Sequence, residues 1–306
     1  MLVSLLTVFM CAQTLELPPA LARLAPLVEQ EQVFVDALRA ADRECRARAG
    51  VLRARAGVCE RAGNVESAAT LRDEARQSLD TLRDAYEFAL HRYGGNARLH
   101  AYYGELLYDH FGDAAGAQAE WNKAMSLDTG FAPAYNDFGT HLCQSGQVKI
   151  GLEYMDKALK LAPEDAGLHY NLAQTYLNAS EAVAAAREWN QERVYREIMK
   201  LSERAARLDP SDFELLQDYA VNFFAAEQFG AATDWKRAAE AWRRARPYAK
   251  DKNAVFFTWL NEARAWIRAG DEARAERCLT ESMRRHPGND AARTLLEGLR
   301  EGEPVL

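Results

Sequence analysis

Residues 132–163 decide the fold, and they read APAYNDFGTHLCQSGQVKIGLEYMDKALKLAP. Apolar residues recur in this stretch at positions i, i+3, i+4 and i+7, so it predicts two antiparallel amphipathic helices. Gly139 and Gly151 let the two helices approach closely, and Pro163 ends the second because proline cannot donate the next helical hydrogen bond. One such pair cannot bury its apolar face alone, so the stretch predicts further pairs stacked beside it.

The same pattern recurs along the chain at intervals of 34 to 47 residues, measured between Gly104, Gly139, Ala173, Ala220 and Ala263. Leu172-Ala173 follow Phe138-Gly139 by 34 residues, with Pro210 near the end of their unit. Each further copy has a large residue beside or near a small one, followed by more small and aromatic residues. These copies are marked by Tyr103-Gly104, Ala117 and Trp121; by Tyr219-Ala220, Ala238 and Trp242; and by Trp259, Ala263, Trp266, Ala275 and Pro287.

This repeat resembles the 34-residue tetratricopeptide repeat (TPR). The positions that carry the resemblance in residues 132–163 hold Tyr135, Phe138, Gly139, Leu142, Gly151, Met155, Ala158 and Pro163. The resemblance implies an all-α protein, namely a right-handed α-solenoid of antiparallel helix pairs with a TPR-like superhelix. It also implies that the first helix of each pair lines an inner surface to which a protein or peptide binds.

The repeat and its flanks predict a division of the chain into segments. Residues 1–18 are either a signal peptide or an N-terminal helix, residues 19–95 a long helical hairpin that breaks near Gly63-Asn64, and residues 291–306 a capping helix and tail. Residues 97–290 form five TPR-like units: 97–131, 132–165, 166–212, 213–255 and 256–290. Two units are stretched, near 178–193 and 228–236. These insertions are expected to form longer helices or helical turns, and they are either neutral or an arm that contributes specificity.

The N-terminal run LVSLLTVFM, residues 2–10, is too short to span a bilayer as a helix. Its length suits the core of a signal peptide, but no Lys or Arg precedes it. Two interpretations stay open. The protein is exported or periplasmic if residues 1–13 are a signal peptide, and otherwise it is cytoplasmic.

Composition and motifs argue against nucleic-acid binding and against catalysis. The formal net charge is −7, whereas nucleic-acid binders need cations to displace counterions. The sequence holds none of the common catalytic or phosphate-binding motifs, its histidines lack metal-ligand spacing, and we expect no catalytic residue, no metal and no cofactor. Six arginines lie from Arg43 to Arg61, and they form either a solvated helix face or a site for a phosphate or acidic partner. Cys45 and Cys59 are either small buried residues or a pair, which requires the chain to turn between them.

The register of the resemblance predicts which side chains a partner meets. Asn and Gln offer both a donor and an acceptor to an extended peptide backbone. We expect a non-catalytic scaffold or adaptor that binds a protein or peptide, no nucleic acid, and has no integral membrane span. The alternatives are an exported accessory factor for envelope or secretion-complex assembly and a helical enzyme accessory with a cryptic site. The predicted partner-binding residues are Asn136, Thr140, Gln144, Tyr170, Gln174, Asn178, Gln217 and Val221.

Overall fold

The computed structural model describes residues 16–288 and 290–301, and within these ranges every regular element is helical. The segments at 1–15 and 302–306 lie outside the described residues, and so does the predicted signal peptide at 1–13. No helix in the described part of the chain is both long and apolar enough to cross a bilayer. The chain divides into two compact units, the first ending at Ala134 and the second beginning at Tyr135.

The first unit is built around two long antiparallel helices that reverse direction at Gly63 and Asn64. Gly63 takes a left-handed φ of 78°, and the Asn64 side chain caps the following helix by accepting a hydrogen bond from the backbone N–H of Ser67. The elements of this unit are a 3₁₀ segment Pro19–Leu27, α1 Glu31–Arg61, α2 Val65–Arg92, α3 Ala97–Leu106, a π-helical turn Leu107–Phe111 and α4 Ala114–Leu127.

A fully buried carboxylate joins the helices of the first unit. Asp42 on α1 has no exposed surface, and it accepts hydrogen bonds from Arg39 (2.6 Å), Arg46 and the Tyr86 hydroxyl (2.7 Å). Arg39 and Arg46 also reach Glu105 on α3, at 2.7 and 3.2 Å. Of the two interpretations of the arginine run from Arg43 to Arg61, a solvated helix face does not hold for Arg46, because it pairs with Asp42 and Glu105 within the protein. Because an unpaired carboxylate is costly to bury, Asp42 requires a cation or hydrogen-bond donor close by, and Arg46 is one of these groups.

The second unit begins within α5 and consists of successive antiparallel helix pairs. Its core contains two apolar clusters, one centred on Leu152, Tyr176 and Ile198 and the other on Trp242 and Leu279. The elements are α5 Ala132–Gln144, α6 Val148–Leu161, α7 Ala166–Asn178, α8 Ser180–Arg187, α9 Gln191–Leu208, α10 Phe213–Asn222, a 3₁₀ segment Phe223–Phe229, α11 Trp235–Ala245, a 3₁₀ turn Arg246–Tyr248, α12 Lys252–Arg268, α13 Glu272–Arg285 and α14 Asp290–Glu301.

Small residues lie where two helices touch, as the repeat pattern predicts. A Cβ atom on Gly139 would come within 2.7 Å of the backbone oxygen of Gly151 on α6. In the first unit, a Cβ on Gly104 would meet the indole of Trp121 at 2.7 Å. Both distances are below any real carbon contact, so each pair depends on glycine for its spacing.

The two stretched segments differ in structure. The insertion near 178–193 is helical, because it forms α8, and Arg187 fixes the end of α8 with two 2.7 Å hydrogen bonds to Asp156 on α6. The segment 228–236 is only partly helical. It leaves a 3₁₀ turn through Gly230, with φ 61°, and runs without helix to the cap residue Asp234.

Candidate partner-binding surface

An acidic side chain joins the first helices of two successive pairs in the second unit. Asp218 on α10 accepts a hydrogen bond of 2.5 Å from the Gln174 side chain on α7. Its other oxygen accepts a hydrogen bond of 3.1 Å from Asn222, which lies one turn further along α10. We call the face that α7 and α10 share around this contact the amide–acid face. It is defined by Tyr170, Gln174, Gln217, Asp218 and Asn222.

Burial governs the electrostatics of this face. It raises the pKa of Asp218 from 3.8 to about 6, and the hydrogen bonds from Gln174 and Asn222 only partly offset that rise. Among the described residues, no lysine or arginine makes an ion pair or hydrogen bond with Asp218. At neutral pH the carboxylate therefore carries a charge that its surroundings do not balance.

Further acidic groups strengthen the negative potential of the amide–acid face. Burial raises the pKa of Tyr170, and the charges of Asp218, Glu214 and Asp212 raise it further. Asp212 also caps α10, because its side chain accepts from the backbone N–H groups of Glu214 and Leu215. This end of α10 thus presents three carboxylates to one half-buried phenol.

The three predicted residues on α5 differ in what they offer a partner. Asn136 is only 5% exposed, and its amide donates a 3.0 Å hydrogen bond to the neighbouring Asp137. Thr140 is half-buried, and its hydroxyl oxygen has no hydrogen-bond partner among the described residues. Gln144 is exposed at the end of the helix. Thr140 and Gln144 can therefore meet a partner, whereas Asn136 contributes little surface.

The predicted residues on α7 and α10 are accessible to different extents. Tyr170 and Gln174 are half-buried, while Asn178, Gln217 and Val221 are exposed. The Gln174–Asp218 hydrogen bond brings α7 and α10 together, so these five residues lie on two adjoining helices.

Solved structures with a similar fold consist of TPR repeats. The C-terminal part of a TPR repeat-containing protein from Cytophaga hutchinsonii is 15% identical, with a TM-score of 0.51 over 88% of this chain and 96% of that one. The chain has the tetratricopeptide-repeat fold. The TPR protein YrrB is also similar, at 17% identity and a TM-score of 0.49 over 69% of this chain and 96% of that one. No family model matches the sequence, and no curated protein matches it significantly.

Two residues of the amide–acid face were not among the predicted ones. Asp218 and Asn222 lie on the TPR helix α10 beside the predicted Gln217 and Val221. Asn222 is 1% exposed, and a buried amide requires a hydrogen-bond partner, which Asp218 supplies. The i, i+4 spacing of Asp218 and Asn222 was a readable signal, because residues so spaced share one side of a helix.

His100 and His169 occupy equivalent places in two TPR units. Each forms a hydrogen bond with a backbone carbonyl that precedes its own helix. The Nε2 atom of His100 lies 3.0 Å from the carbonyl oxygen of Gly94, and that of His169 lies 2.8 Å from the carbonyl of Pro163. In both cases the carbonyl belongs to the residue six positions earlier. His100 also meets Glu120 at 2.5 Å. These contacts give partners to both ring nitrogens of the buried His100 and to the Nε2 atom of the buried His169.

The cysteines of the described residues are unpaired. Cys45, Cys59, Cys143 and Cys278 are all free thiols. Cys45 and Cys59 lie on the one continuous helix α1, so the chain makes no turn that would let them pair. No group of three or more His, Cys, Asp or Glu side chains within residues 16–288 and 290–301 is placed to hold a metal ion.

Proposed function

We propose that this protein is a non-catalytic scaffold or adaptor that binds an extended peptide or protein segment across α5, α7 and α10. The observation that carries the proposal is Asp218, a half-buried carboxylate held by two amides and by no cation. A buried charge without a counter-ion is costly, and an incoming cation would lower that cost. The TPR fold supports the proposal because stacked helix pairs offer long surfaces for partners.

The chemistry of the surface defines the partner segment. Amides at Gln174, Gln217 and Asn178 offer donors and acceptors to an extended backbone. The hydroxyl of Thr140, which has no partner among the described residues, adds a further donor and acceptor. Asp218, with Asp212 and Glu214 near Tyr170, favours a lysine or arginine side chain at one position of the segment.

A peptide selection tests this function directly. The full chain is immobilised and presented with a random peptide library, and the enriched peptides are synthesised and titrated. We expect a basic residue at one fixed position, and affinity that falls about tenfold in Asp218→Asn, because a charge-assisted contact is lost. A second variant, Gln174→Lys, places a cation in the face and should weaken binding of the same peptides by repulsion.

A matched control separates a local effect from a general loss of charge. Glu153 is exposed on the second helix of its pair, α6, so Glu153→Gln removes one negative charge away from the proposed surface. This variant should bind the peptides as the wild type does. Enrichment of peptides without a basic residue, or equal affinity of Asp218→Asn and wild type, would exclude the amide–acid face as the binding surface.

The alternative of an exported accessory factor for envelope or secretion-complex assembly depends on residues 1–13. N-terminal sequencing of the mature protein from its native cell decides it. Cleavage near residue 13 would favour export, and an intact Met1 in the cytoplasmic fraction would end it.

A further inference from the structure

A basic cavity lies within the first unit, apart from the proposed partner surface. Its volume is about 400 Å³, which is in the range of small-molecule sites. Helices α1 and α2 form two of its walls, and the π-helical turn Leu107–Phe111 forms the third. The lining residues are Arg53, Arg76, Leu79, Asp80, Arg83, His110 and Phe111.

The cationic side chains of this cavity exceed the anionic ones. Three arginines line it against a single carboxylate, Asp80, which pairs with Arg83 at 3.1 Å. Within the described part of the chain, Arg53 and Arg76 form no ion pair and no hydrogen bond through their side chains. Many arginines in this protein pair with carboxylates, including Arg39, Arg46 and Arg92, whereas the exposed guanidinium groups of Arg53 and Arg76 remain available to a ligand.

The third wall adds a half-buried histidine and an aromatic ring. The Nδ1 atom of His110 is buried and has no hydrogen-bond partner among the described residues. Burial lowers the pKa of His110, and the positive charges of Arg46 and Arg53 lower it further. The Phe111 ring lies 4.8 Å from the guanidinium carbon of Arg83, which orients that side chain. Single π-helical turns such as this one frequently occur at functional sites.

We propose that this cavity binds a small polyanion that carries phosphoryl or carboxylate groups. Arg53 and Arg76 supply planar donor pairs that match the oxygen geometry of either group. Arg83 supplies a third guanidinium, already held by Asp80 and Phe111. The negative charge of the ligand would offset the mutual repulsion of the arginines, beside which the His110 ring lies in the cavity wall.

Calorimetric titration of the full chain in low-salt chloride buffer tests the proposal with two probes, pyrophosphate and citrate. Binding of either one supports it, and the stronger probe identifies phosphoryl or carboxylate preference. The double variant Arg53→Gln/Arg76→Gln should lower the affinity by about tenfold or more, because two charge-assisted contacts are lost. Both side chains are exposed, so this variant should fold, which circular dichroism verifies.

The matched control is Arg55→Gln/Arg61→Gln. It removes the same charge from exposed positions of α1 that do not line the cavity. It should change the affinity by less than about twofold, since distant surface charges are screened. In parallel, the imidazole NMR signals of His110 should shift when the stronger probe is added to the wild type. The proposal is overturned if neither probe binds at about 10 mM, or if both double variants bind alike.

Discussion

Two polar junctions in this molecule join the same kinds of helices in opposite ways. In the first unit, Asp42 is fully buried, and the guanidinium groups of Arg39 and Arg46 neutralise its charge. The same two guanidinium groups also pair with Glu105 on α3. In the second unit, Asp218 is half-buried and receives only neutral amides, from Gln174 on α7 and Asn222 on its own helix. Both junctions connect first helices of neighbouring pairs.

The difference separates a structural contact from a surface that can accept a partner. Where arginines neutralise the acid, the internal charges are satisfied, and an external cation gains little there. Where only amides meet the acid, hydrogen bonds are satisfied but the charge is not. We therefore expect substitutions at the first junction to change stability and those at the second to change binding and pH dependence.

The largest effect should follow from breaking the first junction. Asp42→Ala leaves two arginines and the Tyr86 hydroxyl without their shared acceptor, and it should lower the free energy of unfolding by about 3–5 kcal/mol. Asp218→Ala should lower it by less, about 1–2 kcal/mol, because the buried amide of Asn222 and the half-buried amide of Gln174 lose their acceptor while an unbalanced buried charge is removed. Urea unfolding followed by circular dichroism measures both. Equal losses would remove the distinction between the two junctions.

A smaller effect should distinguish the packing of the two units. Gly139→Ala places a Cβ against the backbone oxygen of Gly151, which cannot move alone, and should cost about 1–3 kcal/mol. Gly104→Ala meets chiefly the buried indole of Trp121, a side chain that can shift slightly where a helix backbone cannot, so we expect a smaller loss. Thermal unfolding of the two variants tests the order. A greater loss of stability in Gly104→Ala than in Gly139→Ala would contradict this order, and would show that the Trp121 indole cannot shift to make room for the Cβ.

The raised pKa of Asp218 predicts a pH-dependent difference between wild type and Asp218→Asn. Between the unfolded pKa of 3.8 and the folded value of about 6, the native state holds a proton that the unfolded state has lost. Wild-type stability therefore falls as pH rises through this window, whereas the variant lacks this contribution. The stability of Asp218→Asn relative to wild type should increase by about 1–2 kcal/mol from pH 4 to pH 7, after allowance for partial solvent screening. A stability difference between Asp218→Asn and wild type that does not change with pH would contradict the raised pKa of Asp218.

The smallest expected effect is on the pH dependence of stability, and it comes from His100. Burial opposes the positive charge of His100, but the hydrogen bonds with Glu120 and the Gly94 carbonyl outweigh it and raise the pKa above 6.5. Its stabilising contribution is complete below pH 6.5 and is lost as pH rises through the higher folded pKa. His100→Gln should remove a pH-dependent contribution of about 0.5–1 kcal/mol. Imidazole NMR titration of the wild type provides the direct check, and a pKa at or below 6.5 would refute it.

The helical pairing could be predicted from sequence because it rests on local spacing. The small residues at Gly104 and Gly139 follow from the repeat register, and both lie at the helix contacts expected of them. The ion pairs of Arg46 with Asp42 and Glu105 could not be predicted in this way. Its partner Glu105 lies far along the chain, so the sequence left open whether this arginine faces solvent or meets an acidic group.

The proposed binding surface was only partly readable from sequence. Register alone selected Gln174 and Gln217, but it gave no reason to prefer Asp218 over the other acids of the chain. The importance of Asp218 depends on its distance to Gln174, 44 positions earlier, and this distance is set by how α7 and α10 pack after the intervening insertion. Asn136 shows the converse, because a residue in the right register can still be nearly buried.

The short helix α8 has a consequence for how such a chain can diverge. It lengthens one repeat to 47 residues, counted from Ala173 to Ala220, yet Arg187 anchors its end to Asp156 within the same neighbourhood. An insertion anchored by its own contacts leaves adjacent helix pairs free to keep their packing. A comparison with a fixed 34-residue period loses phase after such a unit, although the succession of helix pairs continues. Helix-pair geometry can thus be inherited across an insertion that erases the regular period from the sequence.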